Sequence, residues 1–199
     1  EKLEVKSLLE DIFKNNSYKK HSFASIAEQL IYTTIAGYRH DDDSDSLRND
    51  HVFTNILGKK ELASQPTISR FINSLDKKTM ASLNDLLLTL FEKGNNFKTT
   101  ENIVLDIDST NFTTFGKQEG SNYNYHYSAK GYHPLMLFNG LNGDLIKVEL
   151  REGNVYTSNN SISFLEPIFK WLKQKYLGTT ILLRGDSGFA SSEIYDLCY

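Results

Sequence analysis

Two apolar runs in this chain each stop on an aspartate, and that pattern restricts the fold more than any other feature. Residues 103–108 read Ile-Val-Leu-Asp-Ile-Asp, and residues 179–186 read Thr-Thr-Ile-Leu-Leu-Arg-Gly-Asp. Runs this short and aliphatic read as central strands of an α/β sheet, buried on both faces. In open α/β sheets the ligand crevice lies beyond the carboxyl ends of the strands, where Asp108 and Asp186 stand. No cysteine or histidine spacing accompanies them, so the pair predicts an all-oxygen site for Mg²⁺ or Mn²⁺. Asp106 lies two residues before Asp108 and shares its face of the strand. It is either an auxiliary metal ligand or a residue bonded to a neighbour. Arg184 shares the face of Asp186, as a phosphate contact or as a salt-bridge partner.

Charge neither adds to nor removes this reading. The 199 residues carry 22 Lys and Arg against 25 Asp and Glu, a net −3. Residues 1–100 are balanced at 14 and 14, and residues 101–199 hold 8 and 11. A nucleic-acid surface must therefore be local rather than global. The single cysteine, Cys198, excludes an internal disulfide and fits a reducing compartment. No apolar run approaches the roughly 20 residues of a membrane span, and no secretory signal is visible. A bacterial cytoplasmic protein is expected. The sequence starts at Glu1 and stops at Tyr199 inside a predicted helix, which reads as a fragment or a truncated copy.

Periodicity divides the chain into a helical region, 1–98, and a strand-bearing region, 99–199. In the first, helices are predicted over 22–36, 52–57, 64–75 and 83–91. Ser64 is a candidate N-cap with Pro66 in the first turn. The acidic run 41–45 reads as a solvated loop or short turn, and residues 95–100 as a linker. In the second region strands are predicted over 103–108, 132–139, 145–150 and 179–186. A hairpin loop spans 140–144, and helices are predicted over 161–176 and from Ser191. Strand, two antiparallel strands, helix, strand, helix is the opening of a ribonuclease-H-like fold. In that fold the first and fourth strands are neighbours, which would bring Asp108 and Asp186 together.

Candidate DNA contacts are fewer and weaker. Arg70 lies on the helix opened by Ser64, with Lys59 and Lys60 just upstream, and a helix-turn-helix arrangement or an ordinary helix pair fits equally. Residues 110–127 are polar and aromatic, with Lys117 and Gln118, and read either as a loop that meets nucleic acid beside the acidic site or as aromatics packed on the core.

Several ordered motifs carry a resemblance. They are Asp106-Ile107-Asp108-Ser109-Thr110, Gly116-Lys117-Gln118-Glu119-Gly120, Gly131-Tyr132-His133-Pro134-Leu135, Leu150-Arg151-Glu152-Gly153-Asn154 and Leu183-Arg184-Gly185-Asp186-Ser187-Gly188-Phe189. Upstream stand Leu47-Arg48-Asn49-Asp50 and the run from Leu62 to Phe71. Together, over about residues 25–199, these resemble bacterial insertion-sequence DDE transposases of the "transposase DDE domain group 1" type. The resemblance implies a ribonuclease-H-like core whose Asp, Asp and Glu bind two divalent metal ions and cut DNA at transposon ends. Asp108 matches the first aspartate, being followed by a small hydroxyl residue and Thr, and Asp186 the second. It also implies DNA contact at Arg151 and Asn154. Double-stranded DNA, as terminal inverted repeats and target, is the implied partner, and a homodimer assembled on it the implied state. The family's third carboxylate lies much later in sequence, so none is expected within this chain, and the chain alone is expected to be inactive. Two alternatives stay open: a ribonuclease-H-like nuclease that does not transpose, and an inactive, truncated or domesticated DNA-binding derivative.

Overall fold

The computed structural model describes residues 3–14, 16–18, 20–95 and 101–199. The chain forms two compact units, 1–86 and 87–199, and the division falls inside one long helix.

The first unit holds α1 (Val5–Phe13), α2 (Phe23–Ile35), α3 (Asp43–Ser46), α4 (His51–Ile56), α5 (Gln65–Asn73) and the start of α6 (Lys77–Gly94). Helix α2 begins where the Ser22 hydroxyl accepts the Ser25 N–H, satisfying a donor that has no partner inside the helix. It ends before Gly37, which adopts φ +93°. The buried face is rotated from the one its apolar residues suggest. Ile35 is 78% exposed, whereas Gln29 is fully buried. The reason is a two-way amide pair: Gln29 Nε2 donates to the Ala63 carbonyl (3.0 Å) and its Oε1 accepts the Ala63 N–H (2.8 Å). Around it, Phe13, Phe23 and Phe71 meet edge to face.

Of the two helices near the middle of this unit, α4 has a side-chain cap, whereas the anticipated Ser64 cap of α5 is not made: its hydroxyl pairs with Thr67 Oγ1 (3.2 Å) rather than with a backbone N–H. Asp50 Oδ1 accepts the N–H groups of Val52 and Phe53 and starts α4. Ser64 stands in extended conformation before α5, and Pro66 falls in its first turn, where a missing N–H costs nothing. The acidic run is not merely solvated. It closes into α3, and Asp45 Oδ1 accepts the Gln65 N–H while Asp41 Oδ2 accepts Gln65 Nε2. Negative charge at the start of α5 complements the helix dipole.

The second unit holds the rest of α6, strands β1 (Asn102–Ser109), β2 (Phe112–Thr113), β3 (Asn122–Asn124), β4 (Ala129–Tyr132), β5 (Leu135–Asn139), β6 (Leu145–Glu149) and β7 (Thr180–Arg184), and helices α7 (Ser161–Lys175) and α8 (Ser192–Cys198). The main sheet runs β6-β5-β1-β7; β5 is antiparallel to β6 and β1, and β7 is parallel to β1. This is the ribonuclease-H-like order anticipated from sequence. Ile103, Leu105 and Ile107 of β1, Leu135 and Leu137 of β5, and Ile146 of β6 face Phe164, Leu165, Ile168, Phe169 and Leu172 of α7 in one core.

Three expectations change. The strand anticipated over 132–139 is two strands, because Pro134 has no N–H to give a ladder. Its first part, β4, belongs to a separate sheet of order β2-β4-β3, so residues 110–127 are not a simple loop. Last, β1 and β7 are not buried on both faces: β1 is covered on the Ile103–Ile107 side, while β7 is an edge strand with Leu182 47% exposed. The linker expected at 95–100 falls, from residue 96 on, outside the described residues.

Candidate functional site

The parallel ladder between β1 and β7 runs from Asn102 opposite Thr180 to Asp106 opposite Arg184. Asp108 and Asp186 each stand two residues past that last rung. Past it Gly185 still lies close to β1, since a methyl group there would stand 2.9 Å from Ile107 Cγ2. The two strands run parallel, about 4.8 Å apart, so both aspartates stand at the same end of the sheet.

Each carboxylate is held by one oxygen. Asp108 Oδ1 accepts the Ser109 N–H (2.7 Å), and Asp186 Oδ1 accepts the Gly188 N–H (2.8 Å), which starts the 3₁₀ turn Ser187–Phe189. Both residues are exposed. Among the described residues neither joins an ion pair, and neither Oδ2 has a hydrogen bond. Tyr127 reports on both. Its hydroxyl donates to the Ser109 carbonyl (3.2 Å), and its pKa is raised first by burial and then by the charges of Asp108 and Asp186. The donor chemistry, two exposed carboxylates each with one oxygen outside any hydrogen bond, fits a hard divalent ion. Among the described residues no group of three or more His, Cys, Asp or Glu side chains is arranged to hold a metal.

Asp106 is different. Arg184 Nε and Nη2 reach its two oxygens at 2.6 Å each, and Nη2 also donates to the Gly140 carbonyl (3.2 Å). A bidentate fork of this kind occupies both partners. The auxiliary-ligand reading of Asp106 and the phosphate reading of Arg184 therefore give way to an ion pair.

The cationic candidates also separate. Arg151 is 4% exposed and turns inward. Its Nε donates to the His133 carbonyl (2.9 Å) and its Nη1 to those of Thr157 (3.0 Å) and Asn159 (2.7 Å). Burial pulls its pKa below the usual arginine value. Buried, with Nε and Nη1 on carbonyls and Nη2 buried without a partner, it does not offer itself to DNA, whereas Asn154 is exposed. Lys59 likewise points inward, its Nζ donating to the Ser25 carbonyl (2.6 Å) and Gln29 Oε1 (3.3 Å). Burial lowers its pKa to about 8. Lys60, Lys117 and Gln118 are exposed. Arg70 is exposed too, donating to Thr67 Oγ1 (3.2 Å) and lying 5.8 Å from the Tyr18 ring.

Sequence reasoning missed Lys20 and Arg48. Both clasp Glu61, Lys20 at 2.6 Å and Arg48 through Nε (3.0 Å) and Nη2 (2.8 Å). Those bonds hold the Glu61 pKa at about 2. With Tyr18, His21 and Arg70 they border a cavity of about 340 Å³. The only signal was the Leu47-Arg48-Asn49-Asp50 motif, which carried no role for Arg48.

All 199 residues match the sequence profile of the family described as "Transposase DDE domain group 1". The chain belongs to the DDE transposases. No curated protein matches it. Solved structures give a distant likeness to this transposase. A pre-cleavage Mos1 transpososome is 10% identical, with a TM-score of 0.30 over 99% of this chain and 75% of that one. A Mos1 transposase paired-end complex with left transposon end is 11% identical, with a TM-score of 0.30 over 92% and 58%. The mariner Mos1 paired end complex with Mg is 12% identical, with a TM-score of 0.29 over 94% and 62%. The transposase chain thus spans less than two thirds of the second and third of these proteins.

Proposed function

We propose that this chain supplies two of the metal-binding carboxylates of a DNA transposase, Asp108 and Asp186, together with a helical region that grips DNA. The observation that carries the reading is a contrast within one sheet. Of the three aspartates at the ends of β1 and β7, Asp106 is paired with Arg184, while Asp108 and Asp186 are exposed with one oxygen each outside any hydrogen bond, and the charges of both act on Tyr127. Bound Mg²⁺ or Mn²⁺, two ions in a complete site, supplies activation of water and stabilisation of the leaving 3′-oxygen. The chain's own part is to hold Asp108 through the Ser109 amide and Asp186 through the Gly188 amide, leaving one oxygen of each for the ion.

Catalysis of cleavage and strand transfer requires a third carboxylate besides Asp108 and Asp186. The substrate is double-stranded DNA, at transposon ends and at the target, held by a homodimer. Phosphate contacts fall to Arg70, Lys60, Lys117, Gln118 and Asn154, all on the surface.

The test is a Mn²⁺ titration of the 199-residue chain, read by loss of the free-ion electron paramagnetic resonance signal. Binding is expected in the parent and in Asp11→Asn, and its loss in Asp108→Asn and in Asp186→Asn. Undiminished binding in the Asp108→Asn, Asp186→Asn double variant would refute the site.

A further inference from the structure

We propose that Arg151 is a positioning residue for Asp186, a role that rests on the metal-site reading above. Residues 152–160 form a loop after β6, and the Arg151 guanidinium lies inside it. Nη1 donates to the carbonyls of Thr157 and Asn159 and reaches that of Tyr156 at 3.5 Å; Nε donates to His133. His133 Nδ1 adds a bond to the Val155 carbonyl (2.8 Å). One buried cation and one buried imidazole therefore fix most of the loop's course through its backbone oxygens.

The loop is fixed against the turn that carries Asp186. A methyl group built on Gly188 would lie 2.9 Å from Thr157 Cγ2 and 2.9 Å from Asp186 Oδ1. The Thr157 side chain and the carboxylate that accepts the Gly188 N–H thus both crowd the position where a side chain of residue 188 would stand. If the loop shifts outward, the 3₁₀ turn loses its backing, and the amide that aims Asp186 is free to move. The same group reaches the other aspartate by a second route. His133, whose carbonyl Arg151 holds, packs edge to face on Tyr127 with ring centroids 5.6 Å apart. Tyr127 in turn donates to the carbonyl of Ser109, the neighbour of Asp108. A surface arginine would do none of this, and an arginine that merely filled the core would not touch both sides.

Two substitutions at Thr157 isolate the contact from overall stability. Thr157→Val keeps a methyl group against Gly188, and Thr157→Ser removes it. Arg151→Lys keeps the charge but not the geometry that spans several carbonyls. The first readout is hydrogen exchange of the Gly188 amide by NMR, which needs no metal. The second is the Mn²⁺ dissociation constant. Exchange at Gly188 is expected to quicken at least about tenfold in Arg151→Lys and about threefold in Thr157→Ser, and to stay at the parental rate in Thr157→Val. Mn²⁺ affinity is expected to fall in the same order while Thr157→Ser keeps the parental melting temperature. Unchanged Gly188 exchange in both Arg151→Lys and Thr157→Ser would overturn the proposal. So would lower stability in Arg151→Lys with parental Mn²⁺ affinity. If Arg151→Lys does not fold, the two Thr157 variants decide alone. Loss of the metal-site reading has a separate signature: Mn²⁺ binding indifferent to Asp108 and Asp186 while Gly188 exchange still follows Arg151.

Discussion

Gly153→Ala is expected to be among the most damaging single-methyl changes in the second unit. A Cβ at this position would lie 2.1 Å from the Gly131 carbonyl oxygen and 2.3 Å from that of Asn122. Carbon and oxygen normally approach no closer than about 3.3 Å, so roughly 1 Å of movement is needed on two sides. Neither obstacle is a flexible side chain. Asn122 and Gly131 are opposite residues in the β3–β4 ladder, so the methyl group wedges against a rung. Overpacking of this kind costs about 3 kcal/mol. Gly153 also accepts a hydrogen bond from Asn124 Nδ2 (2.7 Å), and losing it adds about 1 kcal/mol. The total, about 4 kcal/mol, is a large share of the ~5–15 kcal/mol that holds a typical domain together. Gly143→Ala is the control. Nothing lies within 4 Å of its Cβ, but its φ is +79°, so only left-handed backbone strain applies, about 1–2 kcal/mol. Urea unfolding followed by Trp171, the chain's one tryptophan, reads the second unit directly, because that ring packs on its core. A Gly153→Ala stability within 1 kcal/mol of the parent, or equal to that of Gly143→Ala, would refute the steric argument.

Leu137→Ala, at a fully buried position of β5, is expected to cost about 2–5 kcal/mol through the cavity it leaves, measured in the same urea experiment. Lys59 gives up its proton near pH 8 when folded and near 10.5 when unfolded. The unfolded chain then binds more protons between those values, so stability rises with pH across that window, by up to about 3 kcal/mol. Lys59→Met should flatten the rise in melts taken from pH 7 to 10.5, and a parental pH profile in that variant would count against the inward lysine. For DNA, Arg70→Ala with Lys60→Ala is expected to weaken duplex binding and to reduce the slope of log K against log salt by up to ~2, read by fluorescence anisotropy. An unchanged slope in a folded double variant would return α5 to a purely structural helix.

What was readable in the sequence was whatever rests on long-period pattern. The runs ending at Asp108 and Asp186 are apolar enough to declare strands, and the helix between β6 and β7 spaces Ile162, Leu165, Ile168, Phe169 and Leu172 on one side, of which all but the half-buried Ile162 are buried. The sheet order followed from those elements. The small β2-β4-β3 sheet was not readable, because its strands are two to four residues long. They are held by close backbone approach at Gly131 and Gly153 rather than by an apolar face. Nor does sequence reveal which way a cation turns. Lys59 beside Lys60, and Arg151 after a strand, look like surface residues until the carbonyls of Ser25, His133, Thr157 and Asn159 are seen around them. Asp106 and Asp108 share a face by periodicity, yet Arg184, 78 residues away, takes only one of them.

The two rims of the main sheet differ in a way that bears on how the protein behaves when concentrated. On β6 the ladder with β5 carries a bulge between Leu137 and Phe138, and the strand bears Lys147 and Glu149. Bulges and charges are the usual protections of an edge against pairing with another molecule. On β7 the sequence Thr180-Ile-Leu-Leu-Arg is regular along its whole ladder with β1, and Leu182 is open to solvent. A regular aliphatic rim is a template for strand addition from a neighbouring chain. Self-association at high concentration should therefore begin at β7, and a lysine at Leu182 should be the cheapest remedy for a solution that turns cloudy.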